Sequence, residues 1–491
     1  DDGLNVLNSV INAIRSAKSY IYVAIYRWLN LSINSPIWQL AQELVNAKNR
    51  GVYVTVVVEY DYRNDPPIQY LSNNGIFVRW ESGTDLMHNK FIIIDGVVTF
   101  TGSANLVDSA FTVFGTSYQY NDILEVWSTW FSKPYDYEFI EMRYKSVFHA
   151  GDPTPTPLRN QTIYLNNTWV NVEFYFSPEE GSSLENRWED LISKSNTIYM
   201  ALYVLTLDDI GSGLVSKYST GCDVKVLLSY DQKDVSGSEY YRLIQNRVPT
   251  VLNYDDPLVD DVQIVHHKFM VFDKSIVSTG SANPTFKGLY GNDENTVIIH
   301  WSKLAEIYTN RFYELWKKYI ANITVKVYEG DKPAVNAFVN ITTYNLASLT
   351  NNIYDWYNYT GYTDSNGLIN VEAYLWNPSP TALFTVNAST SRGWNTTIVV
   401  LGLNNNTANV LMWITIPVET RLLVYGPVEA GVGETVVYNL VLTYFNGTVV
   451  NRDVTVKVYV NNTLVDTITL VNGMGSWSRV FNTIGTHSIR F

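Results

Sequence analysis

The 491-residue chain is 46% hydrophobic and 16% charged, which supports packed cores and, at roughly 100–200 residues per domain, several of them. Its 34 basic and 47 acidic residues give a net charge of −13; 26 basic against 37 acidic residues lie before residue 321, which disfavours non-specific nucleic-acid binding through a broad cationic face. A lone cysteine, Cys222, excludes an internal disulfide framework, and no run of about 18 apolar residues offers a membrane span.

The start, Asp1-Asp2-Gly3, has no basic stretch leading into an apolar one, as expected of a chain whose leader has been cleaved. Val6, Val10 and Ile14 then mark a helical face before the β-branched and aromatic run Tyr20–Tyr26. Ser16–Tyr26 recurs as Ser193–Tyr203, 177 residues later, and Gly51–Asp61 recurs as Gly221–Asp231. Each copy alternates helix and strand patterns, so the repeat predicts two α/β units, residues 1–150 and 171–321. Each closes with an aromatic helix, carrying Trp127, Trp130 and Phe131 or Trp301, Tyr308, Phe312 and Trp316, all expected in the core. Cys222, opening a strand pattern, is expected to be buried as a small hydrophobe.

Between the copies, the prolines of Gly151–Leu158 forbid helix and suggest an extended linker over 151–170. Val172–Pro178 reads as a strand opening the second copy; nothing corresponds to it before Asp1, so the first copy lacks its opening strand. After residue 321, Val, Thr, Ile and Tyr runs are cut every 8–12 residues by Asn, Gly and Asp turns, a pattern of β-sandwiches at 322–416 and 417–491. Lys332–Ile341 and Thr363–Val371 of the first resemble carboxypeptidase regulatory-like or prealbumin-like modules. The second resembles immunoglobulin-type bacterial or archaeal surface repeats and stops one strand early, at Phe491. Processing or truncation, or a strand supplied by a neighbouring chain at an unpaired edge, accounts for the missing strands.

The chemistry lies in His88-Asn-Lys90-Phe-Ile-Ile-Ile-Asp95 followed by Gly102-Ser103-Ala-Asn105, and in His266-His-Lys268-Phe-Met-Val-Phe-Asp273 followed by Gly280-Ser281-Ala-Asn283. Every fixed position and both spacings agree between the copies. A histidine and a lysine two apart on a strand share a face, so one phosphate can meet both. The ordinary alternative, core histidines and solvated strand-edge lysines, does not explain a matched pair set in an independent repeat.

Through these motifs the chain, over about residues 1–320, resembles the phospholipase D superfamily. The resemblance implies an α/β pseudo-dimer of two repeats; with the two all-β sandwiches that follow it, the chain reads as a multidomain protein. It implies one histidine attacking phosphorus to give a phosphohistidine and the other acting as general acid, then base. His88 is preferred as the nucleophile. Lys90, Lys268, Asn105 and Asn283 would hold the non-bridging oxygens, with Ser103 and Ser281 as substrate-side support. An acid in the same half would orient each imidazole: Asp122 for His88, with Glu125 as fallback, and Glu294 for His266. Asp95 and Asp273 are expected to brace loops, and His267 to point away from the chemistry. Lysines beside both histidines would repel a cation, so neither metal nor cofactor is expected.

The expected substrate is a phosphodiester, phospholipid ahead of nucleic acid; the competing functions are an extracellular metal-independent nuclease and a surface-layer or filament subunit whose neighbours join through strand edges. Asn-x-Ser/Thr triplets at Asn30, Asn160 and Asn166, and more densely at Asn322, Asn340, Asn358, Asn387, Asn395, Asn405, Asn446 and Asn461, point to a secreted or cell-surface glycoprotein. The Asn-, Thr- and Tyr-rich composition resembles that of exported archaeal proteins.

Overall fold

The computed structural model describes residues 3–30, 32–81, 83–111, 119–149, 156–253, 264–344, 357–374, 382–401, 407–414, 420–444 and 447–491. Asp1, Asp2, residues 151–155 of the expected linker, the expected boundary at 416/417, Asn405 and Asn446 lie outside them.

The two repeats build sheets of the same order. In the first, the strands run Phe77–Trp80, Tyr53–Val58, Tyr20–Ile25, Lys90–Ile94, Val98–Gly102, Ile123–Trp127. In the second, the corresponding order is Thr250–Asn253, Asp223–Ser229, Thr197–Leu202, Lys268–Phe272, Ile276–Gly280, Glu294–His300. The first three strands of each are parallel and the rest antiparallel. Strands covered on both faces read as continuous apolar runs, as in Phe91–Ile94 and Phe269–Phe272.

The second sheet gains a hairpin, Asn160–Leu165 with Thr168–Ser177, paired to Glu294–His300. This corrects the linker expectation from residue 160 onward. The turn is Asn166-Asn167, with φ of 43° and 64°, the left-handed conformation that Asn tolerates and two-residue hairpins require. Among the described residues, the first sheet has no counterpart of this hairpin.

Helices Gly3–Ser16 and Pro36–Asn49 cover the outer face of the first sheet through Leu7, Ile14, Leu40 and Leu44; Gly181–Lys194 and Asp208–Ser219 do the same for the second through Leu184, Trp188 and Leu214. A third core joins the halves: Ala24, Phe91 and Ile93 of one pack with Phe131, Tyr135 and Phe139 and with Phe174, Phe176 and Val297 of the other. The expectation of buried aromatics holds for Phe131, Tyr308, Phe312 and Trp316 but not for Trp127 and Trp130, which are exposed, nor fully for Trp301, which is half-buried. Cys222 is also corrected: it is half-buried at the margin of the second core, 3.6 Å from the Thr220 hydroxyl, because it precedes rather than enters the strand Asp223–Ser229.

The chain then becomes all β. The strand Ile320–Glu329 starts two residues before the expected boundary, its first residue buried against the second repeat. It pairs with Leu368–Tyr374 and, in parallel, with Thr407–Trp413, and its alternating Ile323, Val325 and Val327 face Ile341, Phe384 and Val386 of a second sheet. Two three-stranded sheets follow, sharing a core of Leu440, Val458, Val460, Leu470 and Trp477.

Phe174 meets Phe131 edge-on at 5.1 Å and Tyr135 at 6.0 Å. Phe174→Ala is expected to destabilise the joined halves by about 3–5 kcal/mol, read as a lowered denaturation midpoint.

Candidate active site

The motif residues of each half are pinned by the backbone of the other. His88 N donates to the Asp293 carbonyl (2.9 Å), and His266 N donates to the Tyr120 carbonyl (3.0 Å). Lys90 and Lys268 open the central antiparallel strands, and each Nζ donates to the carbonyl of its own motif histidine at 2.7 Å. Histidine and lysine thus share one face in both halves.

The orienting groups differ from expectation. His88 Nδ1 lies 2.7 Å from Glu294 Oε2, and His266 Nδ1 lies 2.8 Å from Asn121 Oδ1, so each imidazole takes its partner from the opposite half. The strand register explains this. Gly102 pairs with Ile123 and Gly280 with Thr296, while Ser103 N donates to the Asp122 carbonyl and Ser281 N to the Asn295 carbonyl. Asn121 is therefore the counterpart of Glu294, and Asp122 that of Asn295. Asp122 accepts instead from His267 Nδ1 (3.0 Å), Tyr308 OH (2.9 Å) and the Thr279 hydroxyl. The fallback Glu125 is exposed and bonds Ser9 and Trp127.

Ser103 and Ser281 are also reassigned, because their hydroxyls are committed to these partners. Ser281 Oγ donates to Glu294 Oε2 (2.6 Å), and Ser103 Oγ lies 3.1 Å from Asn121 Oδ1 and 3.0 Å from Asp122 Oδ1. The preceding glycines permit the approach: a Cβ at Gly102 or Gly280 would come within 2.1 Å of the Asp122 or Asn295 carbonyl oxygen. Asn105 and Asn283 follow on the same loops, and the Oδ1 of each is buried without a hydrogen-bond partner among the described residues. Asp95 caps the backbone N–H groups of Lys18, Ser19 and Tyr20, and Asp273 those of Asn196 and Thr197, as loop braces should. His267 is buried, edge-on to Phe269.

Burial is the largest influence on all four motif cations. It pushes His88 down to about 4 against the opposing pull of Glu294, and holds His266 well below its usual value, with Lys268 and Lys90 adding repulsion. Lys90 is held well below its usual value, and Lys268 falls to about 7 although Glu294 and Asp122 oppose the shift. A phosphodiester monoanion carries the countercharge that would favour the charged forms of these groups. The lysines and histidines supply donors to non-bridging oxygens, a ring nitrogen nucleophile and a proton donor. Among the described residues, the one trio of acids close enough to share a cation is Glu185, Glu189 and Asp209, which contains no motif residue.

Besides Asn121, three residues escaped the sequence reading. Tyr26 stacks edge-on to His88 at 4.7 Å and Tyr203 lies tilted over His266 at 5.1 Å; the rings also sit 5.2 and 5.3 Å from the ammonium groups of Lys90 and Lys268. The signal was available, since both tyrosines close the first repeated segment. A third, His149, bridges Glu81 (3.1 Å) and Asp293 (3.0 Å) beside the peptide that holds His88, and had no repeat to reveal it.

With this geometry in view, comparison with known proteins is decisive at the family level. The family model described as cardiolipin synthase, PLD-like domain, matches residues 10–143 and 189–316, more than half of the chain. The chain belongs to this family. Within this phospholipase D-like group it is similar to a mitochondrial cardiolipin hydrolase of Mus musculus, 23% identical over 142 residues, covering 29% of this chain and 62% of the relative. It is similar also to a phospholipase D of Rickettsia typhi, 30% identical over 144 residues, covering 29% and 67%. The chain spans between about half and two-thirds of the length of cardiolipin hydrolases it matches. Among solved structures, phosphatidylserine synthase of Haemophilus influenzae is 13% identical with a TM-score of 0.48, covering 64% of this chain and 84% of that one. Nuc, a phospholipase D family member from Salmonella typhimurium, is 27% identical with a TM-score of 0.27, covering 30% and 95%.

Burial lowers the basicity of His149, but Asp293 and Glu81 raise it by more, to about 9. The folded value exceeds the ordinary 6.5, so this contribution to stability is full below pH 6.5 and is lost as pH rises through about 9. The melting temperature of the wild type is expected to fall more between those pH values than that of His149→Gln.

Proposed function

We propose that this protein is a metal-independent phosphodiesterase that cleaves phospholipid headgroups or related phosphodiesters through a phosphohistidine, and that it works outside the cell. The observation that carries this is the crossed pair of motifs, in which each histidine is held by backbone from the other half and its lysine by the carbonyl of that histidine. Half of such a site has no second histidine to protonate a leaving alkoxide, so the two repeats act as a fused pseudo-dimer. Lipid is favoured because relatives named for cardiolipin hydrolysis and phospholipase D activity match over 142 and 144 residues, and because the acidic balance suits polyanionic nucleic acid poorly.

The two β-rich units, taken as carboxypeptidase regulatory-like and immunoglobulin-like sandwiches, would serve as a stalk or a surface-attachment module. Their triplets favour export: among the described residues Asn461 is exposed and Asn322, Asn340, Asn387 and Asn395 are half-buried at strand surfaces. Active enzyme and surface assembly are compatible in one chain.

Activity on a diacyl and an ether phospholipid, on plasmid and on single-stranded DNA, separates the substrate classes; DNA turnover with inert lipid would overturn the lipid choice. Excess chelator is expected to leave the rate unchanged, and a rate that disappears with chelation and returns with a metal contradicts the mechanism. His88→Ala and His266→Ala are each expected to lose about 10²–10⁴-fold or more in turnover of an unactivated diester. His267→Asn is expected to lose stability yet retain turnover within about tenfold to a hundredfold, the range of indirect positioning effects.

A further inference from the structure

The two half-sites are not equivalent, and their difference resides in one pair of corresponding positions: Glu294 behind His88, Asn121 behind His266. We infer that this amide–carboxylate asymmetry fixes the division of labour, His266 being the nucleophile and His88 the general acid, with Asn121 and Glu294 as the positioning residues that make them so. The assignment reverses the order implied by family resemblance, and it rests on the phosphodiesterase function proposed above.

The orientation of the Asn121 amide is set by its surroundings. Its Nδ2 donates to the Gln119 carbonyl (3.4 Å), which turns Oδ1 toward His266 and toward the Ser103 hydroxyl (3.1 Å). An amide oxygen only accepts, so His266 must donate from Nδ1. Its Nε2 then carries the lone pair that attack requires. A neutral amide cannot neutralise an imidazolium, and the charged and titratable groups facing His266, namely Lys268, Lys90, His88 and His267, all disfavour its protonation. His88 is held differently. Glu294 contacts its Nδ1 and is itself fixed by Ser281 Oγ (2.6 Å) and Asn292 Nδ2 (3.2 Å), leaving a carboxylate committed to the ring. Of the groups around His88, Lys90 and Lys268 oppose its protonation and Glu294 favours it. When substrate adds its negative charge, His88 is the imidazole with a carboxylate behind it to hold the proton.

In the first step His266 Nε2 attacks phosphorus. The N–P bond forms, the P–O bond to the leaving alcohol breaks with its electron pair on oxygen, and His88 Nε2–H transfers its proton there. In the second step neutral His88 takes a proton from water as the water oxygen attacks phosphorus. The P–N bond breaks, its pair returns to His266 Nε2, and His88 is again protonated; diester plus water has become monoester plus alcohol. Throughout, His266 keeps its Nδ1 proton because Asn121 cannot accept it. The phosphorylated ring stays cationic and is a good leaving group. A carboxylate in the place of Asn121 would draw that proton off and prolong the intermediate.

The test uses 4-nitrophenyl phosphocholine, whose nitrophenolate departs without a proton, beside dioleoylphosphatidylcholine, whose choline alkoxide needs one as phosphorus stays on the diacylglycerol. His88→Ala is expected to release a burst of about one nitrophenolate per protein and to accumulate phosphocholine on His266, located by mass spectrometry of the denaturant-quenched chain, while losing about 10²–10⁴-fold on the lipid. His266→Ala is expected to give no burst. Glu294→Gln should reproduce the leaving-group selectivity in milder form, about 10–100-fold on the lipid and little on the nitrophenyl ester, and Asn121→Glu should lengthen the lifetime of the phosphoenzyme. Those two conservative variants decide the matter if an alanine variant does not fold. A burst from His266→Ala with the label on His88, or equal losses on both substrates in Glu294→Gln, overturns the assignment and leaves the phosphodiesterase function standing. A wild type that neither turns over any diester nor carries label overturns that function and the assignment with it.

Discussion

The burial of four cationic groups at the joint between two sheets is the constraint around which the first 320 residues are arranged. Lys90, Lys268, His88 and His266 sit where burial disfavours charge, and one carboxylate, Glu294, contacts His88 directly. Such a cluster persists only when surrounding structure over-determines it. Here the restraint comes from the shared aromatic core and from backbone bonds that cross the joint at Asp293 and Tyr120. Charge that is costly in the protein alone is favourable toward a phosphodiester, so the same burial that penalises the resting site strengthens its hold on an anion and on the charge that develops during transfer.

What was legible in the sequence is what repeats in it. The motif histidines and lysines, the α/β alternation and the sheet strands are encoded by contiguous, recurring segments, and the structure arranges both copies in one strand order. The partners of the imidazoles are encoded by neither copy alone. A repeat invites the assumption that each half completes itself, whereas the chain crosses, so Glu294 reaches His88 rather than His266. The first-half acid was misplaced by one residue. In the first repeat the order is amide then acid, Asn121-Asp122; in the second it is acid then amide, Glu294-Asn295. Matching acid to acid by residue type gives Asp122, while matching by strand register gives Asn121, and only the hydrogen-bonded ladder distinguishes them.

Other misses trace to context that a linear pattern does not carry. Trp127 ends the strand Ile123–Trp127 and Trp130 opens the helix Thr129–Ile140, so neither belongs to the buried face that Phe131, Tyr135 and Phe139 form at helical spacing, and both are exposed. The proline-rich joint suggested an extended linker, yet Asn166-Asn167 supplies a left-handed turn that returns the chain as a hairpin. In the tail, period-two alternation over Ile323, Val325 and Val327 does indicate which side is buried, because a pleated strand allows no other face.

Fusion of the two repeats into one chain gives the catalytic unit a freedom that a symmetric pair of identical chains lacks. In a twofold homodimer each substitution appears on both sides of the axis, so both imidazoles must have the same neighbour. In one chain the halves can diverge while the backbone scaffold stays matched. Here they have diverged at the positions that touch the imidazoles and beside them. Asn121 corresponds to Glu294, Asp122 to Asn295, and Asn89 to His267, while Gly102, Ser103 and Asn105 correspond without change to Gly280, Ser281 and Asn283. The unchanged set fixes backbone approach and the donors toward the orienting groups; the changed set alters proton affinity. An enzyme that must keep one imidazole neutral and the other protonated before the same phosphate gains from that distribution. Differences confined to proton affinity can set the two proposed roles apart without disturbing the backbone scaffold that the halves share.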